Sequence, residues 1–222
     1  MRTPESSADI AYDYILESIS SRKLKGGERL NESTIATALD MSRTPVREAI
    51  RRLQQDGLVE VRKNQGSFLR KYTYSEMEDG YEITAMLTQM AVRHLAEKYE
   101  TLDPAGLADI RNTIERMDTY QKEGKKQEWV ALDMYFHNCL IELTGIWQLV
   151  HTYQNLMVWV NQVLWLISPV FIDLERSTGD HREIMRLIAE KDPEAAGRYA
   201  FEHQLRTVKL MRTLGEINDE VK

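Results

Sequence analysis

Cysteine is nearly absent: Cys139 stands alone in 222 residues. One thiol excludes a disulfide scaffold and any metal cluster held by cysteines only. Long apolar runs are missing as well. The most apolar stretch, 156–171, is broken by Asn161, Gln162 and Pro169, too short and too polar to cross a bilayer. The opening residues MRTPESSADIAYDY carry acids and no apolar signal core, so a soluble, cytoplasmic protein without a membrane partner is expected. Excess positive charge is also lacking, and the net charge of -6 argues against a chain that grips nucleic acid along its whole length. What is present, 42% hydrophobic and 29% charged residues, is enough to build a real core in one or two domains.

The charge is unevenly spread. Residues 1–72 hold 13 Lys and Arg against 10 Asp and Glu, whereas residues 73–222 hold 16 against 25. Within 41–72 the count is 8 basic to 3 acidic. A basic N-terminal part on a larger acidic part suggests one region built to approach a polyanion.

In that region, Ile10, Tyr14, Ile15 and Ile19 recur at helical spacing over 8–22. Leu24-Lys25-Gly26-Gly27 stops the helix. Asn31 caps a second one that buries Ile35, Ala36 and Leu39. Ser42 is an N-cap for a third helix reaching Asp56-Gly57, with Pro45 in its first turn. Two β-like runs follow, Leu58–Arg62 and Ser67–Lys71, joined by Lys63-Asn64-Gln65-Gly66. Three helices and a hairpin are the order of a winged helix-turn-helix.

On the third helix, Val46, Ala49, Ile50 and Leu53 share one arc, while Arg43, Arg47 and Arg51 sit at i, i+4, i+8 on the next, with Thr44 beside them. One face can anchor to the domain as the other presents guanidinium forks, which suit phosphates and the O6/N7 edge of guanine. A solvated charged face has the same spacing. The order of caps, turn and basic hairpin favours the DNA-binding reading.

The run GERLNESTIATALDMSRTPVREAIRRLQQDGLVEVRKNQGSFL closely resembles the DNA-binding domain of GntR-type bacterial transcription regulators. The resemblance implies that Arg43 and Arg47 contact double-stranded operator DNA and that Gly66 of the wing lies close to it. Thr44 and Arg51 of the third helix, Ser33 and Thr34 of the second and Gln65 of the wing are DNA-binding candidates beside them. Many relatives have an arginine near Ser33, so the operator sequence does not transfer.

From Ser75 on, the pattern is helical throughout. The segment Ser75-Glu76-Met77-Glu78 reads as a capping box for a helix to Tyr99. Further helices are expected over about 103–123, 126–144, 147–175 with a kink at Pro169, 179–190 and 193–214. Six antiparallel helices with short loops make a bundle. The fold class is thus mainly α, a winged helix-turn-helix over 1–73 followed by an all-α six-helix bundle over 74–222.

Five histidines fall in the bundle. Asp133 and His137 are spaced i, i+4 and project from one helix face; such pairs are more often surface or capping contacts. A carboxylate with imidazoles suits zinc or nickel, with manganese a third candidate. The segments DMYFHNCLIELTG, GDHREIMRLIAEKDPEAAGRYA and FEHQ resemble the metal-containing FCD ligand-sensing domain of the FadR-type branch. That resemblance implies Asp133, His137, His181 and His203 as metal ligands and leaves out His94 and His151. Relatives that sense carboxylic acids often carry Arg and Glu on the first bundle helix, where this chain has Thr84 and Thr88, taken here as effector-binding candidates. The Asn that usually follows the Thr-Gly pair is Ile146. The aromatics Tyr153, Trp159, Trp165 and Phe171 read as bundle core or dimer interface.

The expectation is therefore a homodimeric repressor rather than an enzyme. It would bind a pseudo-palindromic operator and answer to a small-molecule effector, such as a carboxylate, held near a divalent metal. The rivals are a metal-dependent hydrolase, in which Glu142 or Glu183 would have to serve as base, and a DNA-binding dimer whose bundle holds neither metal nor ligand.

Overall fold

The computed structural model describes residues 6–21, 23–167 and 173–220, without the side chains of Tyr74, Met77, 161–167, 210–212 and 214–220. The elements run α1 (Ser7–Ser20), α2 (Glu32–Ala38), α3 (Arg43–Gln55), β1 (Val59–Arg62), β2 (Gly66–Leu69), α4 (Tyr74–Glu97), a 3₁₀ turn (Tyr99–Thr101), α5 (Pro104–Lys122), α6 (Lys126–Leu143), α7 (Trp147–Ile167), α8 (Leu174–Ala189) and α9 (Pro193–Glu220). They form two compact units. One contains Met1–Met77 and Met157–Pro169, the other Glu78–Leu156 and Val170–Lys222. A single cut at 73/74 would leave the whole of α7 in the second.

In the first unit, Ser6 and Asp9 form a reciprocal capping box that starts α1. Ala11, Ile15 and Ile19 of this helix are buried with Val46, Ala49, Ile50 and Leu53 of α3, and such side chains each contribute about 1.5–3 kcal/mol. Ile10, expected in that core, is 43% exposed; the buried stripe runs through Ala8, Ala11, Ile15 and Ile19 instead. Asn31 caps α2 by accepting from the Ser33 and Thr34 amides. Ser42 occupies the N-cap position of α3 but makes no side-chain cap bond. A cap hydroxyl bonds the N2 or N3 amide, and here N3 is Pro45, which has no N–H.

The wing is an antiparallel pair with Val59 opposite Leu69 and Arg62 opposite Gly66; β1 starts one residue later than expected, and β2 starts one residue earlier and ends two residues earlier. Gly66 at φ +102° turns the chain into β2. An isolated bridge joins Arg29 to Phe68, a pairing that two separated residues do not announce in the sequence.

The second unit is helical. Thr73 and Glu76 form the capping box of α4, each side chain bonded to the other's amide, so the helix starts earlier than a box at Ser75–Glu78 requires. Asp103 caps α5. Gly145 at φ +66° follows the end of α6. α8 begins at Leu174, capped by Asp173, and not near 179. The structure therefore has a helix break in the span expected to continue α7 to Glu175. The expected kink at Pro169 lies outside the described residues. The core joins Val92 and Leu95 of α4, Ile110 and Ile114 of α5, Phe136 and Leu140 of α6, Ile184 and Ile188 of α8, and Ala196 and Ala200 of α9.

Candidate nucleic-acid interface and metal centre

α3 is amphipathic in the way its sequence requires. Its apolar arc is sealed in the core, and Arg43, Thr44, Arg47 and Arg51 are exposed on the rest of the helix. Ser33, Thr34, Gln65 and Gly66 are exposed as well. The structure adds two residues that the sequence reading missed. Glu32, the first residue of α2, accepts from Arg43 Nη2 at 2.9 Å and from Arg47 Nε at 2.8 Å, both through Oε2. Partial burial pushes its carboxyl up, yet the two guanidiniums hold it below the usual carboxylate range. The second is Arg29, exposed, whose Nε lies 3.2 Å from where a Cβ on Gly66 would sit. A Cβ at position 66 would crowd this guanidinium by a few tenths of an ångström, and the positive φ disfavours any side chain there. The bridge to Phe68 puts Arg29 there.

In the bundle, three imidazole Nε2 atoms converge from three helices. His203 Nε2 on α9 lies 3.2 Å from His181 Nε2 on α8 and 3.4 Å from His137 Nε2 on α6. Asp133 Oδ1 lies 3.4 Å from His181 Nε2 and 4.0 Å from His137 Nε2. The four residues read as ligands from the resemblance thus meet. His94 and His151 do not join them: His151 is exposed, stacked on Trp147 with ring centroids 5.3 Å apart and bonded to Asn155.

Packing fixes the rings. Phe136 stacks on His181 at 4.1 Å between centroids, and Trp129 lies on it at 6.4 Å while donating Nε1–H to Thr178 Oγ1. Asp180 Oδ2 faces His203 Nδ1 at 3.1 Å. It also accepts from Arg206, and Oδ1 of the same carboxylate accepts from Tyr199. Burial pushes the Asp180 carboxyl up, but these hydrogen bonds prevail and hold it at about 2. An ionised Asp180 keeps the proton of His203 on Nδ1 and leaves its Nε2 lone pair facing the other two rings. Gln204 faces His137 Nδ1 at 3.3 Å and does the same work if its amide oxygen is turned to that atom. Asp180 precedes a histidine in GDHR, and Gln204 follows one in FEHQ. That adjacency is the only trace of either role in the sequence.

Burial keeps His137 and His181 neutral, with their pKa well below the ordinary value, and the neighbouring rings add to the shift. Burial raises Asp133 to about 6, against the pull of His203 and a hydrogen bond from Ser177. A metal 2.0–2.1 Å from two tetrahedral nitrogen donors holds them about 3.3–3.4 Å apart. The two spacings from His203 Nε2, 3.2 and 3.4 Å, lie close to that, and imidazoles with a carboxylate are a fitting donor set for a divalent ion.

Thr84 and Thr88 are buried on α4. The Thr84 hydroxyl donates to the Tyr81 carbonyl at 2.7 Å, whereas the Thr88 hydroxyl has no hydrogen-bond partner among the described residues. Burial, with the Asp133 charge adding to it, pushes the phenols of Tyr81 and Tyr153 far above their usual value. Tyr153 is buried as expected, and Trp159 packs against the core of the first unit. Trp165 and Phe171 lie outside the described side chains. Glu142 bonds Asn138 and Gln154, and Glu183 pairs with Arg186, so neither is poised over the imidazoles as a base.

The FCD domain model matches residues 79–206, and the model of bacterial regulatory proteins of the gntR family matches residues 8–69. The chain belongs to the GntR family of transcription regulators, with an FCD domain. The regulator is 27% identical over 202 residues to the HTH-type transcriptional regulator YdhC of Bacillus subtilis, covering 86% of this chain and 85% of that one. It is 28% identical to the probable D-xylose utilization operon transcriptional repressor of Paenarthrobacter nicotinovorans, covering 83% and 79%. A crystal structure described as a GntR transcriptional regulator from Rhodococcus sp. RHA1 superposes with a TM-score of 0.73 at 21% identity, covering 94% and 99%. That likeness bears on the fold alone. The family and its relatives are regulators and not enzymes, which disposes of the hydrolase reading. No helix among the described residues is long and apolar enough to cross a membrane.

Proposed function

We propose that this regulator is a homodimeric repressor that reads a pseudo-palindromic operator and answers to a small carboxylate bound beside a divalent metal in the FCD domain. The observation that carries the reading is the meeting of three imidazole Nε2 atoms from α6, α8 and α9. His137, His181 and His203, with Asp133, would hold zinc or nickel. When bound, such an ion supplies a Lewis-acid position for a carboxylate. The chain's own residues do the rest. Asp180 sets the tautomer of His203, Phe136 and Trp129 pack on His181, and Thr84 and Thr88 are the effector-binding candidates.

Arg43, Thr44, Arg47 and Arg51 of α3, Ser33 and Thr34 of α2, and Gln65 and Gly66 of the wing form the proposed duplex face. One recognition helix reads only a few base pairs, so two copies are needed for a long site. Ile83, Met86 and Met90 of α4 supply an exposed apolar row, each about half accessible, suited to a second copy. The effector acts by preferring one of two arrangements of the dimer, with a coupling on the order of 1–3 kcal/mol. The relative named as a repressor supports the direction of control.

The test uses full-length protein loaded with zinc or nickel. A panel of small mono-, di- and hydroxycarboxylates is screened for a rise in melting temperature, and each hit is added to a duplex selected from a random-sequence pool. The reading expects a hit that needs His137 and that changes duplex affinity, together with an inverted repeat in the selected sequences. A protein that takes up no metal, or a hit indifferent to His137→Ala, contradicts it.

A further inference from the structure

The geometry points to Glu32 as a positioning residue for sequence discrimination: it ties Arg43 and Arg47 into one pre-set pair and withholds part of each guanidinium from the phosphates. This rests on the proposed duplex face. A guanidinium has two bidentate edges, the Nε/Nη side edge and the terminal Nη1/Nη2 edge. Glu32 occupies Nε of Arg47 at 2.8 Å, so the side edge is taken while the terminal edge stays free to fork onto a guanine O6/N7 pair. Arg43 is held through Nη2 at 2.9 Å on the same carboxylate oxygen. Both arginines remain 56% and 60% exposed while Glu32 is 26% exposed. The acid thus lies behind the pair, and the pair faces outward.

Two consequences follow from charge and freedom. A carboxylate behind the recognition helix offsets one of the positive charges that drive sequence-independent phosphate binding. Two long side chains held on one oxygen also lose rotamer freedom before the duplex arrives, which reduces the ordering cost of a specific contact. Glu32 should therefore weaken non-specific binding and favour the specific complex, raising the ratio between them.

The experiment measures binding of the full-length protein to two probes: a duplex selected by the wild type from a random-sequence pool, and a scrambled duplex of the same composition. In Glu32→Gln the selected-to-scrambled affinity ratio is expected to fall at least about fivefold, the low end of what one bidentate guanidinium–guanine contact is worth. The scrambled duplex should bind as tightly or more tightly, and its salt dependence should steepen by about 0.9 in the log–log slope, one extra phosphate contact. In an Arg43→Ala/Arg47→Ala background the same substitution should leave the ratio unchanged. Should the Gln variant fail to fold, Glu32→Asp carries the test, since it keeps the charge but is one methylene too short to hold both guanidiniums. A ratio unchanged in Glu32→Gln, a parallel loss on both probes, or an effect that persists without the two arginines overturns the proposal. Failure of the wild type to select any duplex instead overturns the reading of α3 as the duplex face.

Discussion

Arg47 and Asp180 are the two residues on which the account is most exposed. Arg47→Ala should cost about 1–3 kcal/mol on a selected duplex if its terminal edge reads a base, and little on a scrambled one. A uniform, smaller loss on both would make it a phosphate contact. Asp180→Asn removes the charge that holds the proton on His203 Nδ1. The expected result is zinc affinity lowered about 10–100-fold, measured by chelator competition; unchanged affinity would detach Asp180 from the cage.

Acidity acts on the same group of residues. His137 and His181 are held neutral in the fold, while in the unfolded chain they take up protons below about 6.5. Their contribution to stability is therefore present above that pH and lost as the pH falls. Asp133, raised to about 6, has the opposite sign, because it keeps its proton longer when folded and so returns part of the loss between about 6 and its ordinary 3.8. Two imidazoles outweigh one carboxyl, so protein kept in chelator should melt at a lower temperature at pH 5.5 than at pH 7.5. A rise on acidification would contradict the buried, neutral cage.

Elements show what periodicity and caps can carry. Asn31 caps α2 on two amides, and Asn31→Ala should cost about 1 kcal/mol of stability, read by denaturant unfolding of the full chain. The apolar arc of α3 was legible because Val46, Ala49, Ile50 and Leu53 bury at helical spacing. Ser42 was not, because a cap depends on the donor it meets, and proline two residues into the helix removes one. α4 begins at Thr73 and Glu76 because both side chains close on both amides, whereas Ser75 and Glu78 match the same pattern in the sequence only. The start of α8 at Asp173 was hidden inside a stretch whose apolar residues suggest one continuous helix. Glu32 escaped notice because its partners lie 11 and 15 residues away, and only the turn between α2 and α3 brings them together.

At the scale of the molecule, the order of the two family segments follows the order of the two kinds of chemistry. Exposed guanidiniums belong to the first unit, and buried imidazoles to the second. That Asp133, His137, His181 and His203 come together was legible from the family resemblance and not from spacing, since Asp133 and His137 share a face but His181 and His203 are 44 and 66 residues from His137 along the chain. What no local pattern encodes is that α6, α8 and α9 bring three ring nitrogens to one point. The proposed response to a metal-bound effector rests on that point. Its most direct test is the metal content of full-length protein after incubation with zinc or nickel and removal of the excess, beside His181→Ala treated the same way. The account predicts one ion per chain in the wild type and none held by the variant; an empty wild type, or a variant equally loaded, would contradict it.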